Sequence, residues 1–381
     1  MNITRISDRS CQLSQKLATL LATLSLLGLL TACAPRPTPT PTLPDHPTAT
    51  VQATEVALAL PPAAQARPFP IQAIPTDNPT TPAAVELGRQ LFFDPVLSTS
   101  RAMSCATCHQ PDLGLSNGQV VSTARPGAPG RNVPTLWNAG FKRFLTWDGR
   151  ETALESQARL PLTLPHEMAA IPAEVEAKLR AIPEYVSLFS QAFGGGPESV
   201  TFDNVTRALA AFERTLISDD SPVDRYLAGD ATALTAPQQR GLAVFFGERT
   251  HCAECHQPPT FAMETFRVVG VDSVDAGRAG VTADGVRGAF RVPTLRNIAT
   301  TGPYMHNGSL ATLNAVIEFY AAGAGRPRGV PYVDPLLKGF ELSDQEQADL
   351  VAFLQALTDE SRLPVAPSPA LSGLPTIQRQ Q

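Results

Sequence analysis

The chain has 381 residues and 43% hydrophobic content, enough for two domains of ordinary size with buried cores, so it is neither a peptide nor globally disordered. Charged residues make up 17%, the formal net charge is −5, and no long basic run is present to follow a phosphate backbone, which argues against nucleic acid as a partner. Proline, at 36 residues, is roughly twice ordinary usage and is expected both in a linker and in many turns.

At the N-terminus, Arg5, Arg9 and Lys16 precede an apolar stretch over 17–30, followed by Leu30-Thr31-Ala32-Cys33. The stretch is short for a bilayer span, and small residues before a cysteine read as a lipoprotein signal over 1–32, with cleavage ahead of a lipidated Cys33. Cleavage removes three positive charges and one negative, leaving an acidic, exported chain at −7. An uncleaved single-pass anchor is the other reading, and it exports the remainder equally. Residues 33–82 contain Pro35-Arg-Pro-Thr-Pro-Thr-Pro-Thr42 and more Pro/Thr/Ala-rich sequence, with few large apolar side chains. They are predicted to be a disordered, solvated linker in which His46 has no role, and the tail over 364–381 is predicted to behave in the same way.

Within 83–363 one pattern occurs twice. The first copy reads Glu86-Leu-Gly-Arg-Gln-Leu-Phe-Phe93, Cys105-Ala-Thr-Cys-His-Gln-Pro111, then Val133-Pro-Thr-Leu136 with Asn138. The second reads Gln239-Arg-Gly-Leu-Ala-Val-Phe-Phe246, Cys252-Ala-Glu-Cys-His-Gln-Pro258, then Val292-Pro-Thr-Leu295 with Asn297. Repetition of order and chemistry with unequal spacers is what duplication of a small domain leaves. Apolar residues recur at helical intervals over 174–188 and 204–216, and Ser343-Asp-Gln-Glu346 is a capping box opening a helix over 348–357. Period-two alternation is scarce. The fold class is therefore mostly α, with two homologous domains over 83–230 and 231–363 and long loops, the boundary falling near 226–235.

Cys-x-x-Cys-His is the attachment site of c-type haem: both thiols form thioethers to the vinyl groups and the histidine ligates iron. Cys105, Cys108 and His109 form one such site, and Cys252, Cys255 and His256 the other. A four-cysteine zinc site does not require a histidine after each second cysteine, and thioredoxin-like disulfides sit in a βαβ context that is missing. Two covalent haems per chain follow. Between His109 and Trp147 there is no other histidine, and Met103 sits on the same turn as the first motif, so the first iron is expected to be open opposite His109. For the sixth position of the second iron the residues leave Met263, Met305, His306, Tyr304, Tyr320 and Tyr332 as candidates.

These motifs, with Phe144-Leu-Thr-Trp-Asp-Gly-Arg150 and Val292-Pro-Thr-Leu-Arg-Asn297 leading to Pro303-Tyr-Met-His-Asn-Gly308, resemble the bacterial di-haem cytochrome c peroxidases and the related MauG enzymes over about 68–360. The resemblance implies two cytochrome c-like domains. It implies reduction of hydrogen peroxide at the haem of His109, with electrons arriving from the haem of His256. Trp147 looks like the tryptophan that relays electrons between the haems. Gln157 and Glu167 match the distal pair over the peroxidatic haem, and Pro161 matches a proline lining that pocket. Asn132, Thr301 and Pro303 match ligands of a calcium ion between the haems, one through its side-chain oxygen and two through main-chain carbonyls. Trp137 is read as a packing residue, His166 as a pocket-rim or surface group, and His251 as structural.

Two departures narrow the resemblance. Many di-haem peroxidases carry a histidine after the first haem peptide that blocks the iron until the other haem is reduced, and the matching position here is near Arg125. Tyr320 falls where they place a methionine ligand of the electron-transfer haem, and MauG has tyrosine there. Tyr320 is thus the expected sixth ligand of the second haem, with Met305 as its rival, and a phenolate favours storage of oxidising equivalents. The implied partners are hydrogen peroxide and a small donor cytochrome or cupredoxin, or a protein substrate if the enzyme is MauG-like. A plain electron-transfer cytochrome is the remaining alternative, and the Gln157–Glu167 pair argues against it.

Overall fold

The computed structural model describes residues 64–122, 130–271 and 274–376; the expected signal peptide, Cys33, His46 and Arg125 lie outside the described residues. Each half is built on one pair of helices, α1 (Pro82–Phe93) against α6 (Phe202–Glu213) in the first, and α8 (Ala236–Phe246) against α11 (Asp344–Gln355) in the second. Their starts are written locally. Thr81 accepts the Ala84 N–H ahead of Pro82, Thr201 accepts the Asn204 N–H, and reciprocal capping boxes join Thr235 to Gln238 and Ser343 to Glu346.

Apolar stripes on these helices make two cores. Leu87, Leu91 and Phe92 meet Leu209 and Phe212 in the first half, while Phe245 and Phe246 meet Leu350 and Phe353 in the second. The backbones cross closely at Gly88 and Gly241, where a Cβ would overlap the carbonyl oxygens of Ala208 and Asp349 respectively, so glycine is required at both crossings.

The short helix α2 (Cys105–Cys108) follows α1, and α9 (Cys252–Cys255) follows α8. Helices α3 (Leu154–Thr163), α4 (Pro172–Arg180) and α5 (Pro183–Phe193) fill out the first half; α7 (Pro222–Leu227) packs on the second core through Val223, and α10 (Leu313–Ala321) belongs to the second half. The helix expected over 174–188 is two helices, because Pro183 lacks the N–H needed to continue α4 and instead starts α5. The described strands are a two-residue antiparallel pair, Phe266–Arg267 with Phe290–Arg291.

The halves repeat down to backbone detail. Asn138 and Asn297 are both left-handed, as are Thr146 and Met305. Asn138 N–H donates to Leu216 O (2.8 Å) and Asn297 N–H to Leu357 O (3.0 Å). Bridges close the loops at Leu145–Glu151 and Tyr304–Leu310. The interface between the halves is reciprocal: Asn132 N–H donates to His306 O (2.7 Å), and Arg291 N–H donates to Trp147 O (2.9 Å). In the repeat Asn132 corresponds to Arg291 and Trp147 to His306, so this is the self-complementary contact of a pseudo-two-fold dimer within one chain.

Two expectations are corrected. Residues 64–81 are not a solvated linker. Ala64 is buried in the second core, Phe69 stacks near Phe141 (5.1 Å) and beneath Arg296 (4.9 Å), and Gln72 Nε2 and Asn78 Nδ2 donate to Arg214 O (2.9 Å) and Arg207 O (3.1 Å). Nor is the described part of the tail free. Leu371 and Leu374 pack on the first core, and Ser372 donates from N and Oγ to the buried Asp94 (3.1 and 2.6 Å). A few well-placed residues bind each segment, which average composition does not register. Among the described residues no helix is long and apolar enough to cross a membrane.

Candidate functional site: two haem-attachment centres

Each Cys-x-x-Cys forms one helical turn, and the following histidine caps it, with His109 N–H bonded to Cys105 O (2.9 Å) and His256 N–H to Cys252 O (3.0 Å). The side chains repeat the pattern. His109 Nδ1 lies 2.9 Å from Leu115 O, and His256 Nδ1 lies 3.1 Å from Phe261 O. A carbonyl can only accept, so Nδ1 carries the proton and Nε2 is left bare, the tautomer a metal requires. Burial pulls both imidazoles down to about 4, keeping them neutral. The four cysteines are free thiols. Both donor sets therefore fit haem c.

The second centre opens on an apolar cavity of about 220 Å³, with Cys252, Cys255, His256, Met305 and Tyr320 in its wall. Burial raises the Tyr320 phenol. Of the other candidates, Tyr304 lines the cavity but donates its hydroxyl to Ile298 O (3.0 Å), and His306 is stacked on Phe290 at 3.7 Å. Tyr332 is 53% exposed, and neither it nor Met263 lines the cavity.

At the first centre, α3 is held by buried Leu154 and Leu162 and by Glu155, which receives Arg214 Nη2 at 2.5 Å. Gln157 and Pro161 stand one turn apart on α3, hence on one face. Glu167 follows the helix, its N–H bonded to Leu164 O (3.0 Å), with His166 Nε2 3.9 Å from Oε1. The Glu167 carboxyl is half-buried and raised by desolvation, and its charge in turn raises the Cys108 thiol.

Between the centres, Trp147 Nε1 donates to Asn132 O (2.8 Å), and its ring lies 6.4 Å from that of His306. Asn132 Nδ2 donates to Gln119 O (2.8 Å), leaving the side-chain oxygen for another partner, and Thr301 and Pro303 line the same cavity as Asn132 and Trp147. Trp137 is buried in the core. His251 Nδ1 donates to Glu254 Oε1 (2.6 Å).

Sequence reasoning passed over two charged groups. Glu213 is 5% exposed and pushed up to about 8 by its burial; Lys142, partly buried at the junction of the halves, is pulled down by desolvation to about 7. Glu213 continues the apolar stripe of Leu209 and Phe212, and a carboxylate on a core face was the available signal.

The family model for di-haem cytochrome c peroxidases matches residues 82–232, and that for cytochrome c matches 239–358. The methylamine utilization protein MauG of Methylorubrum extorquens is 43% identical over 292 residues, covering 74% of this chain and 80% of its own. The cytochrome c551 peroxidase of Nitrosomonas europaea is 35% identical over 293 residues, covering 74% and 83%. A crystal structure of a MauG-like protein associated with microbial copper homeostasis superposes with a TM-score of 0.71 at 36% identity, over 80% of this chain and 96% of that one. With both attachment centres in place, the chain is a di-haem oxidoreductase that belongs to the di-haem cytochrome c peroxidase and MauG family.

Proposed function

We propose that the protein reduces hydrogen peroxide to water at the centre of His109, with electrons supplied through the centre of His256 and Trp147. The observation that carries this reading is a half-buried carboxyl, Glu167, whose charge acts on the Cys108 thiol and which follows the helix that presents Gln157 and Pro161 on one face. Haem, when bound, supplies the iron that takes up peroxide and the electrons that cleave it. Glu167 accepts the first proton of peroxide and returns it to the departing oxygen, so that water leaves; desolvation raises its affinity for protons, which favours the acceptance. Gln157 orients peroxide and water with its amide, and Pro161 contributes a wall without a donor atom. Tyr320, with Met305 as the rival, would supply the further ligand to the iron of the second haem, and Asn132, Thr301 and Pro303 would hold a calcium ion at the junction.

The donor in this reading is a small cytochrome or cupredoxin, met outside the cytoplasm by an enzyme exported and lipid-anchored at Cys33. A second reading, a MauG-like oxidase of aromatic residues in a partner protein, is favoured by Tyr320 in the second cavity. Stopped-flow spectra of the di-haem protein mixed with peroxide, with and without a reduced small cytochrome c, separate the two. Oxidation of about two cytochromes per peroxide, the electron count of the reaction, supports the peroxidase. A persistent oxidised spectrum that ignores the cytochrome favours the oxidase. No spectral reaction at all contradicts both.

A further inference from the structure

The wall of the second cavity carries an imbalance of charge. Arg267 is paired there with Asp334 (3.1 Å), and Lys338 reaches solvent. Arg291 and Lys142 form no ion pair among the described residues. Arg291 is 3% exposed and donates only to main-chain carbonyls, from Nε to Thr146 O and from Nη1 to Val292 O, both at 3.3 Å. Lys142 comes from the other half and donates from Nζ to Thr135 O at 3.3 Å. The charge of Arg291 lowers the proton affinity of Lys142 beyond what burial does. One carboxylate, Glu264, acts on both cations while accepting the N–H groups of Arg143 and Phe144 (3.0 and 3.2 Å), and Glu213 is pushed up to about 8 by its own burial, so two positive charges face one negative. His306, also on this wall, is stacked against Phe290.

A buried guanidinium and a partly buried ammonium lining one apolar cavity are costly without a further anionic occupant. The cavity is the one that Cys252, Cys255 and His256 assign to haem, and haem c brings two carboxylates of its own. We propose that Lys142 and Arg291 form a carboxylate clamp for the propionates of the second haem, one cation from each half of the chain. Guanidinium suits such a group through paired N–H donors and ammonium as a point charge. The clamp makes the second haem a joint possession of both halves, since its covalent attachment is in one half and one of its counter-charges is in the other. This inference rests on the haem reading of the second centre.

The test uses the holoenzyme, with haem additions counted by mass spectrometry and the midpoint potential of each haem followed separately by optical and electron paramagnetic resonance titration. Removing a buried positive charge beside a haem favours its ferric form. Lys142→Met should therefore lower the potential of the second haem with both haems still attached, and Arg291→Met should lower it further. Lys142→Arg should restore the wild-type value. An unchanged second-haem potential in Lys142→Met would overturn the clamp, as would a shift confined to the first haem, or an equal fall in Lys142→Arg, which would mark a packing effect. Arg291 also ties two carbonyls, so Lys142 carries the decision if Arg291→Met fails to fold. A wild-type chain with one haem addition would instead remove the haem reading beneath the clamp.

Discussion

The two halves share a frame and differ in what they hang on it. With Asn138 laid on Asn297, α3 falls on α10, and Pro161 falls on Tyr320. Where the second half offers a phenol to its cavity, the first offers a ring with no donor atom. Gln157 takes the place of Val316, which lines the second cavity, so the amide is aimed at the corresponding space of the first. Phe212 and Phe353 are equivalent at the helix crossings, which sets Glu213 against the cavity-lining Leu354. A duplicated cytochrome thus becomes two different centres through a handful of side chains. In the proposed reading, the half that sets Gln157 and Glu213 against the apolar Val316 and Leu354 of the other is the one that binds the small oxidant, and the half with Tyr320 in its cavity is the one that holds the electron.

The largest test of that contrast is to give the first half what the second has. Pro161→Met should place a thioether at the position of Tyr320, convert the first haem from high-spin to low-spin, and abolish most of its reaction with peroxide. Electron paramagnetic resonance of the resting enzyme checks this, and an unchanged high-spin signal would show that the correspondence of α3 with α10 does not extend to the iron. Next in size is Glu167→Gln, which should keep both haems yet lose about a hundredfold to ten-thousandfold in peroxide turnover, the usual worth of acid–base assistance. Wild-type turnover would transfer attention to His166.

The smallest effect concerns Glu213. Burial holds this carboxyl at about 8 in the folded chain, against 4.5 for a free glutamate. The folded protein therefore keeps a proton that the unfolded chain gives up. Its contribution to stability is complete below 4.5 and is lost as the pH climbs through about 8. Glu213→Gln should flatten the fall in melting temperature across that window, while Leu354, its counterpart, has no proton to lose. A melting profile with the wild-type slope would show that the carboxyl is ionised in the fold.

Much of this was legible in the sequence because it is written locally. The haem peptides, the capping box at Ser343 and the duplication are patterns within a few residues, and each has its physical cause at hand. Pro183 was legible too, as a break in the helical stretch that contains it. What escaped depends on distant partners. Phe69, Gln72 and Asn78 bind a segment that reads as linker because their acceptors lie far along the chain, near Arg207 and Arg214. Ser372 finds a buried Asp94 in the same way. Lys142 and Glu213 look like ordinary surface and helix residues until packing encloses them. The pseudo-two-fold contact of Asn132 with His306 and Arg291 with Trp147 follows from the duplication, yet only the folded chain shows which face was duplicated.

The central claim is that the first centre is open to peroxide at rest, and it rests on the run from His109 to Trp147, which contains no further histidine. The measurement is to mix the fully ferric enzyme with peroxide in the absence of any reductant, following spin state by electron paramagnetic resonance. A high-spin signal that disappears within the mixing time is the predicted result. A wholly low-spin resting spectrum, with no reaction until the second haem has been reduced, would contradict the account.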